Sequence, residues 1–320
     1  HGPDLEKGLS EMQEQLDRDH SKTGQYARTA ISNEVRGRVE GENGFQQGGV
    51  LAPIVKRLLS VSFIDKLGSP AYSVINAMQV GMVSAPYLGG RHGIGRTFAA
   101  IGKAYADINA GRIVREGFKE TGRRIAGKRS PEDFMSSITK NLSSDEKAMI
   151  DEHISVGTLD PSAGMEISEI SRDYKGVGGK TDAVLGYLEG VTREMPRAIE
   201  SINRAVTAIA AYRLERSRGA THDAAVAYSK DAVNNTQFNY SPTNSPAVFN
   251  HPLLKIALQF KKYGQGMYQL LGTQIANAIK NEKPGDRAQA VKTLIGIAAT
   301  HTAMAGALGL PTEPFKYLLM

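Results

Sequence analysis

The chain has 320 residues, of which 41% are hydrophobic, so it can form a packed core and is not a disordered tail. Lys and Arg exceed Asp and Glu by 39 to 33, giving a net charge of +6. This mild excess suits nucleic acid or an anionic membrane as a partner but requires neither. The absence of cysteine excludes disulfides, thiolate nucleophiles and cysteine-based zinc sites.

The N-terminal part differs in composition from the rest. Residues 1–48 are polar and rich in Glu, Gln, Arg and Gly, which predicts an arm or linker. The chain opens without an initiator Met or the apolar run of a signal peptide, so we expect a processed piece of a longer protein. Helical patterning predicts an N-terminal helical region over 49–175 and a C-terminal one over 176–320.

Two long runs carry no Asp, Glu, Lys or Arg. Residues 67–90 form the first and residues 293–312 the second, and each is long enough to cross a bilayer as a helix. Serine, asparagine and glutamine make the first only moderately apolar, and the second is rich in Gly and Ala, which let helices approach closely. We predict that both runs are buried among other helices, and insertion into a membrane after refolding is the alternative.

A glycine-rich segment, residues 89–96, resembles a phosphate loop at first sight, because it carries Arg91 and Arg96 beside four glycines. No strand is predicted before it, and its spacing matches neither a Walker motif nor a dinucleotide fingerprint. A turn between two helices is the better interpretation.

Helix signals recur through the middle of the chain. Ser143 and Glu146 have the spacing of a capping box, and Thr221 is placed to cap a further helix. The predicted helix that precedes Thr221 has a long apolar stripe, which ends at Gly219. Since no stretch alternates between apolar and polar residues, the sequence predicts an all-α, elongated multi-helical assembly with essentially no sheet.

Residues 232–252 are rich in Asn and contain three prolines, which predicts an extended strap rather than a regular helix. Helical spacing resumes directly after the strap. We expect aromatic side chains to anchor the strap and the helix that follows it: Phe238, Tyr240, Phe249, Phe260 and Tyr263.

The clearest electrostatic feature is a row of cations at Arg112, Arg115, Lys119 and Arg123. Their spacing of 3, 4 and 4 residues places them on one side of a helix. Interleaved glycines weaken that helix. The row is either an ordinary solvated face or a contact surface for packaged DNA or anionic lipid.

Catalytic signals are weak. No two histidines lie three to five residues apart, so no histidine pair on one helix is placed to bind a metal. Asp151, Glu152 and His153 are adjacent and are predicted to form a solvated face. The carboxylate pairs Glu166 with Glu169 and Glu194 with Glu200 stand without tryptophan or an aromatic cluster that would bind a sugar. We predict no catalytic residue, no cofactor, no metal site and no small-molecule substrate.

Four segments, taken in order, resemble one known family. They are residues 76–93, residues 202–213, the strap with residues 259–263, and residues 306–311. Together they are similar to the large internal virion, or ejection, proteins of tailed bacteriophages and prophages, the PLxRFG-type polyproteins. The hexapeptide Pro-Leu-x-Arg-Phe-Gly itself does not occur here.

This resemblance implies a helical, non-enzymatic segment that assists genome delivery across the host envelope. It implies a location in the virion interior and, after infection, in the host envelope. Other virion proteins or further copies of the chain are the implied partners, with double-stranded DNA and the host membrane as further candidates. Two alternatives stay open: a DNA-associated helper segment of a phage polyprotein whose enzymatic domain lies elsewhere, and a cell-wall hydrolase segment.

Overall fold

A computed structural model describes residues 61, 76–115, 138–159, 188, 194–238, 262–281 and 283–305. All of them belong to one compact unit, Lys56–Ser241 with Phe260–Met320. The other unit, His1–Val55 with Pro242–Gln259, lies outside the described residues. Of the described residues 87% are helical and none is in a strand, so the all-α prediction is confirmed for this part of the chain.

Seven α-helices and one π-helical segment make up the described structure. The π-helical segment, Val80–Ser84, leads directly into the first helix. In chain order the helices are α1 (Ala85–His92), α2 (Ile94–Asp107), α3 (Ser144–Ser155), α4 (Glu194–Ser217), α5 (His222–Thr236), α6 (Lys262–Lys280) and α7 (Pro284–Ala305). Residues 110–115 add a short helical stretch after α2.

Helix α4 is the centre of the fold. Every residue from 201 to 212 is buried, and the helix packs against α2, α3, α5 and the π-helical segment. Its small residues, Ala205, Ala208 and Ala211, leave room for these neighbours to lie close to the helix axis. A helix covered on all sides must also find partners inside the protein for its polar side chains.

The predicted helix ends are confirmed where they fall in the described residues. The Ser143 backbone N–H donates to Glu146 at 2.9 Å and the Glu146 N–H donates to Ser143 Oγ at 3.3 Å, which closes the capping box before α3. Thr221 Oγ1 caps α5 by accepting from the N–H of Ala224 at 3.3 Å. Gly219 takes a φ of 87° after the end of α4.

The glycine-rich segment around Gly93 is a turn between helices, as the sequence indicated. Gly93 has a φ of 88°, which glycine adopts without strain, and its N–H donates to the carbonyl of Gly89 at 2.9 Å. Helix α1 therefore ends at His92, and α2 begins one residue after the turn.

Helices α6 and α7 pack side by side, and α7 also lies against α1. A Cβ at Gly90 would be 2.8 Å from the carbonyl oxygen of Gln289, and one at Gly296 would be 3.0 Å from Cβ of Pro86. The close approach of α1 and α7 therefore depends on glycine at both positions. Five buried side chains form a hydrophobic cluster in this part of the fold: Val83, Phe238, Met267, Leu270 and Ile297.

The predicted strap begins later than the sequence indicated. Helix α5 continues to Thr236, so residues 232–236 are helical and the prediction of a strap starting at Ala232 is wrong. Asn235 Nδ2 donates to the carbonyl of Asp231 at 2.8 Å, and Thr236 Oγ1 donates to the carbonyl of Ala232 at 2.7 Å. These side chains bond to the helix they sit on rather than ending it. Residues 239–252, the rest of the predicted strap, lie outside the described residues.

The two charge-free runs differ in burial. Of the first run, residues 76–90 are described, and Gln79, Val80 and residues 83–90 apart from Tyr87 are buried. The second run is described to residue 305, and only one side of it is covered: Ile297 is 1% exposed but Ile295 is 63% exposed. The prediction that the second run is buried is therefore wrong for its outer face. None of the described helices is both long and apolar enough to span a membrane.

Candidate functional site

Arg204 joins three parts of the fold from the middle of α4. It is 3% exposed and forms an ion pair with Glu200 at 3.0 Å. Its guanidinium also donates to the carbonyls of Thr158 at 3.0 Å, Phe238 at 2.9 Å and Gln237 at 3.2 Å. The buried charge is balanced by Glu200, and the chain segments after α3 and α5 are held against α4.

A chain of buried hydroxyl and amide groups lies one turn further along α4. Gln237 Nε2 and Thr207 Oγ1 both donate to Ser84 Oγ, at 2.8 and 3.1 Å. Ser84 Oγ in turn donates to Thr236 Oγ1 at 2.9 Å, and Gln79 Nε2 donates to the Thr236 carbonyl at 2.9 Å. These bonds fix the π-helical segment between α4 and α5, so the polar residues here serve packing.

Arg91 and His92, at the end of α1, face the C-terminal part of α4. The Nε atoms of Arg91 and His92 lie 2.5 and 3.2 Å from Glu215 Oε1, and the Arg91 guanidinium sits 4.8 Å from the centre of the Tyr228 ring. Burial lowers the pKa of His92 to about 4, although the Glu215 carboxylate raises it. Arg91 is thus already paired, which speaks against a phosphate loop at this turn.

His153 and Ser229 form a buried pair between α3 and α5. His153 Nε2 is 2.7 Å from Ser229 Oγ, and that hydroxyl donates its proton to the carbonyl of Val226 at 2.8 Å. His153 Nε2 therefore carries a proton and donates it, which is the reverse of what a general base for serine requires. Both side chains are fully buried, and burial lowers the pKa of His153 to about 4.

This arrangement corrects the prediction for residues 151–153. His153 is 0% exposed, so the prediction of a solvated face is wrong for it, whereas Glu152 lies at the surface and pairs with Lys230 at 2.6 Å. Three neighbouring residues on a helix point in different directions, so one of them can be buried while the others meet water.

The carboxylates considered for sugar hydrolysis are not assembled in the described part of the chain. Glu200 is 4% exposed and paired with Arg204. Glu166 and Glu169 lie outside the described residues, and Glu194 is described only as the first residue of α4. Within the described ranges no group of three or more His, Asp or Glu side chains is placed to bind a metal ion.

The cationic row is described only in part. Arg112 and Arg115 lie in the helical stretch 110–115 and are exposed, while Lys119 and Arg123 lie outside the described residues. The structure adds a cation that the sequence did not indicate, because Lys140 is brought to the same place from before α3. Arg112 and Lys140 line a cleft of about 160 Å³, and the other residues that line it are Ile108, Asn109, Ile113 and Asn141.

Of the five predicted aromatic anchors, the structure describes the side chain of Phe238 alone. It is 6% exposed and packs with Met267 and Leu270 of α6. A Cβ at Gly266 would be 2.6 Å from Cδ1 of the Phe238 ring, so the ring lies directly on the α6 backbone. Tyr263 lies in α6, but its side chain is not among those described, and Tyr240, Phe249 and Phe260 lie outside the described residues.

Helices α6 and α7 each carry large apolar side chains on their outer sides. Ile275 and Ile279 of α6 are 41% and 68% exposed, and Val291 and Ile295 of α7 are 43% and 63% exposed. Each pair is four residues apart and so lies on one side of its helix. We call these four residues the α6–α7 apolar face. Residues 263–279 and 293–305 contain no charged side chain, whereas Lys280 follows Ile279 and Lys292 follows Val291 in the sequence.

Comparisons of the chain with models of protein families, with curated proteins and with solved structures found no match in any of the three.

Proposed function

We propose that the chain is a non-enzymatic helical segment of an internal virion protein of a tailed phage, which assembles with further copies or other virion proteins and assists genome delivery across the host envelope. The observation that carries the proposal is the α6–α7 apolar face. Exposed apolar surface of this kind marks sites of protein association. Packing against another molecule would remove these side chains from water.

The sequence resemblance supports the choice of family. Two of the segments that carry it, residues 76–93 and 202–213, meet in the core. Asn203 Nδ2 donates to the carbonyl of Asn76 at 2.7 Å, and Thr207 Oγ1 donates to Ser84 Oγ at 3.1 Å. These two segments therefore pack against each other, which supports the proposal that they belong to one folded segment.

The energy available for association is substantial. Fully burying one isoleucine side chain contributes roughly 1.5 to 3 kcal/mol before the costs of ordering two molecules are subtracted. The four side chains of the α6–α7 apolar face are already partly covered, so their combined contribution is smaller than four times that value. Assembly requires that this contribution exceed the cost of ordering two molecules, which is roughly 4 to 15 kcal/mol.

Sedimentation velocity of the full chain over a range of concentrations tests the assembly. We expect the unaltered chain to form assemblies, and the double variant Ile279→Glu with Ile295→Glu to sediment as a monomer, because two carboxylates would have to be buried. The matched control is Ala148→Glu with Ala224→Glu, which adds the same charge at exposed positions of α3 and α5. A monomer at all concentrations for the unaltered chain would contradict the proposed assembly.

The location is tested on particles. Mass spectrometry of purified virions from the phage that carries this gene should detect the chain inside the particle, protected from protease until the capsid is opened. Particles carrying Ile279→Glu and Ile295→Glu should package DNA but deliver it poorly, whereas particles carrying the control substitutions should infect normally. Absence of the chain from the particles would overturn the proposed virion role.

A further inference from the structure

The cleft beside Arg112 combines two features that are separate in the sequence. Arg112 comes from the helical stretch after α2, and Lys140 comes from the turn that precedes α3. Both are exposed, and among the described residues neither has an acidic partner. The cleft between them has a volume of about 160 Å³.

The positions of these two cations are fixed by the backbone beneath them. Asn109 adopts a φ of 54°, and its carbonyl accepts from the N–H of Arg112 at 2.9 Å and of Ile113 at 3.3 Å. On the other side, Asn141 Nδ2 donates to the carbonyl of Asp107 at 3.0 Å, which ties the Lys140 turn to the end of α2. The buried side chains of Ile108 and Ile113 form the floor. The cleft is therefore largely formed before any ligand arrives.

The cleft is positively charged because its lining contains Arg112 and Lys140. Asp107 pairs with Arg213 at 2.7 Å, and the same Arg213 also pairs with Glu146. No acidic residue lines the cleft itself. A small, polar, cationic cleft without a carboxylate selects an anion, and the planar guanidinium of Arg112 is suited to two oxygens of a phosphate group.

We propose that this cleft binds a phosphate group of the nucleic-acid backbone between Arg112 and Lys140. Arg115 favours a polymer over an isolated phosphate. It lies three residues beyond Arg112 in the helical stretch, about 4.5 Å further along the axis, and is also exposed. Two neighbouring cations beside a cleft follow a chain of phosphates, whereas a single free phosphate uses only the cleft. This inference concerns a site distant in sequence from the α6–α7 apolar face and does not rest on the virion role.

Fluorescence anisotropy with a labelled duplex of about 20 base pairs, at several salt concentrations, tests the site. The unaltered chain should bind weakly and without sequence preference. The double variant Arg112→Gln with Lys140→Gln should lose about tenfold in affinity at low salt. For this variant, the slope of log affinity against log salt concentration should become less steep by about one, because one phosphate contact is lost.

The matched control is Lys280→Gln with Lys292→Gln, which likewise removes two exposed cations, one from α6 and one from α7. It should change the affinity by less than about twofold and leave the salt slope unaltered. Equal affinity and slope for the double variant and the control would overturn the site. Since the substituted side chains are exposed, circular dichroism should show unchanged helix content.

A second arm separates the two sources of phosphate. Inorganic phosphate, titrated at constant ionic strength, should displace the duplex only at concentrations far above those of the DNA phosphates. Saturable binding of inorganic phosphate by a chain that binds no duplex would overturn the assignment to nucleic acid. Neither arm depends on self-association, so a failure here leaves the sedimentation result for the proposed function intact.

Discussion

Helices α4 and α7 are the two longest in the described structure, and they treat polar and apolar side chains in opposite ways. Residues 201–212 of α4 are buried on every side, yet they include Asn203, Arg204 and Thr207. Helix α7 has no charged residue after Lys292, yet its outer side faces water with Val291 and Ile295. Polarity alone therefore does not tell which helix lies inside.

The difference follows from what each helix has around it. Around α4 the neighbouring segments supply a hydrogen-bond partner for each of these three side chains, so none of the three is buried without one. Around α7 the contacts with α1 and α6 leave part of the helix uncovered. The apolar residues on the other side find no cover in the described residues, which is why a partner molecule is proposed for them. Substitutions on the two helices test this contrast.

The largest effect is expected from Arg204→Ala at the centre of α4. It would remove the cation that pairs with the buried Glu200 carboxylate and the donor to the carbonyls of Thr158, Gln237 and Phe238. We expect the free energy of unfolding in urea to fall by about 3 to 5 kcal/mol.

A second variant separates charge from hydrogen bonding. Adding Glu200→Gln to Arg204→Ala should restore part of the loss, because the buried carboxylate that lost its Arg204 partner is gone, but the three carbonyls still lack the Arg204 donor. A loss below about 1 kcal/mol for Arg204→Ala alone would show that α4 does not depend on this buried pair.

Much of the fold was predictable, because its signals are local. The all-α class, the capping box at Ser143, the cap at Thr221 and the turn at Gly93 each depend on residues a few positions apart. The start of the strap could not be predicted, because Asn235 and Thr236 have side chains that favour turns but here donate hydrogen bonds to carbonyls of α5. Such a choice depends on the burial of Thr236 beside Ser84, which is a contact between distant parts of the chain.

The next effect concerns pH and the buried His153. Burial lowers its pKa from 6.5 to about 4, so the unfolded chain binds more protons than the folded chain between these values. The contribution of neutral His153 to the free energy of unfolding is therefore fully present above about pH 6.5, and it is lost as the pH falls toward 4. The contribution of this one group is on the order of 3 kcal/mol at pH 4.

The measurement is the free energy of unfolding between pH 7 and pH 4 for the unaltered chain and for His153→Gln. Glutamine can still donate to Ser229 but does not titrate, so the variant should lose less stability on acidification. Glu152 and Lys230 stand near His153 in both proteins, and their effects cancel in the difference. Parallel pH curves for the two proteins would contradict the buried, neutral state of His153.

A smaller effect is expected where α7 meets α1. Gly90→Ala would bring a methyl group to 2.8 Å from the carbonyl oxygen of Gln289, and we expect a loss of about 1 to 3 kcal/mol in thermal or urea unfolding. The matched control is Gly102→Ala in α2, where nothing lies within 4 Å of the new methyl group. There alanine should stabilise by up to about 1 kcal/mol through its higher helix propensity. Equal signs for the two variants would contradict the close contact of α1 with α7.

The candidate sites were harder to predict than the fold. Arg112 and Arg115 were visible as a spaced row, but Lys140 comes from a separate segment and joins them only through the turn at Asn109 and the bond from Asn141 to Asp107. The α6–α7 apolar face was hidden for another reason. The charge-free run after Lys292 indicated burial, and composition does not show that only one side of α7 would be covered.

The smallest effect on stability is expected at the outer side of α7. Ile295 is 63% exposed, so Ile295→Ala in a dilute, monomeric sample should change the free energy of unfolding by no more than about 0.5 kcal/mol. Ile297, two residues further on, is 1% exposed, and Ile297→Ala should cost about 2 to 5 kcal/mol through the cavity it leaves. Because both variants remove the same atoms from the same helix, the difference between their losses measures the burial of the two side chains. Similar losses for both variants would mean that Ile295 is covered within a single chain. Val291 would then be the only residue that α7 contributes to the α6–α7 apolar face.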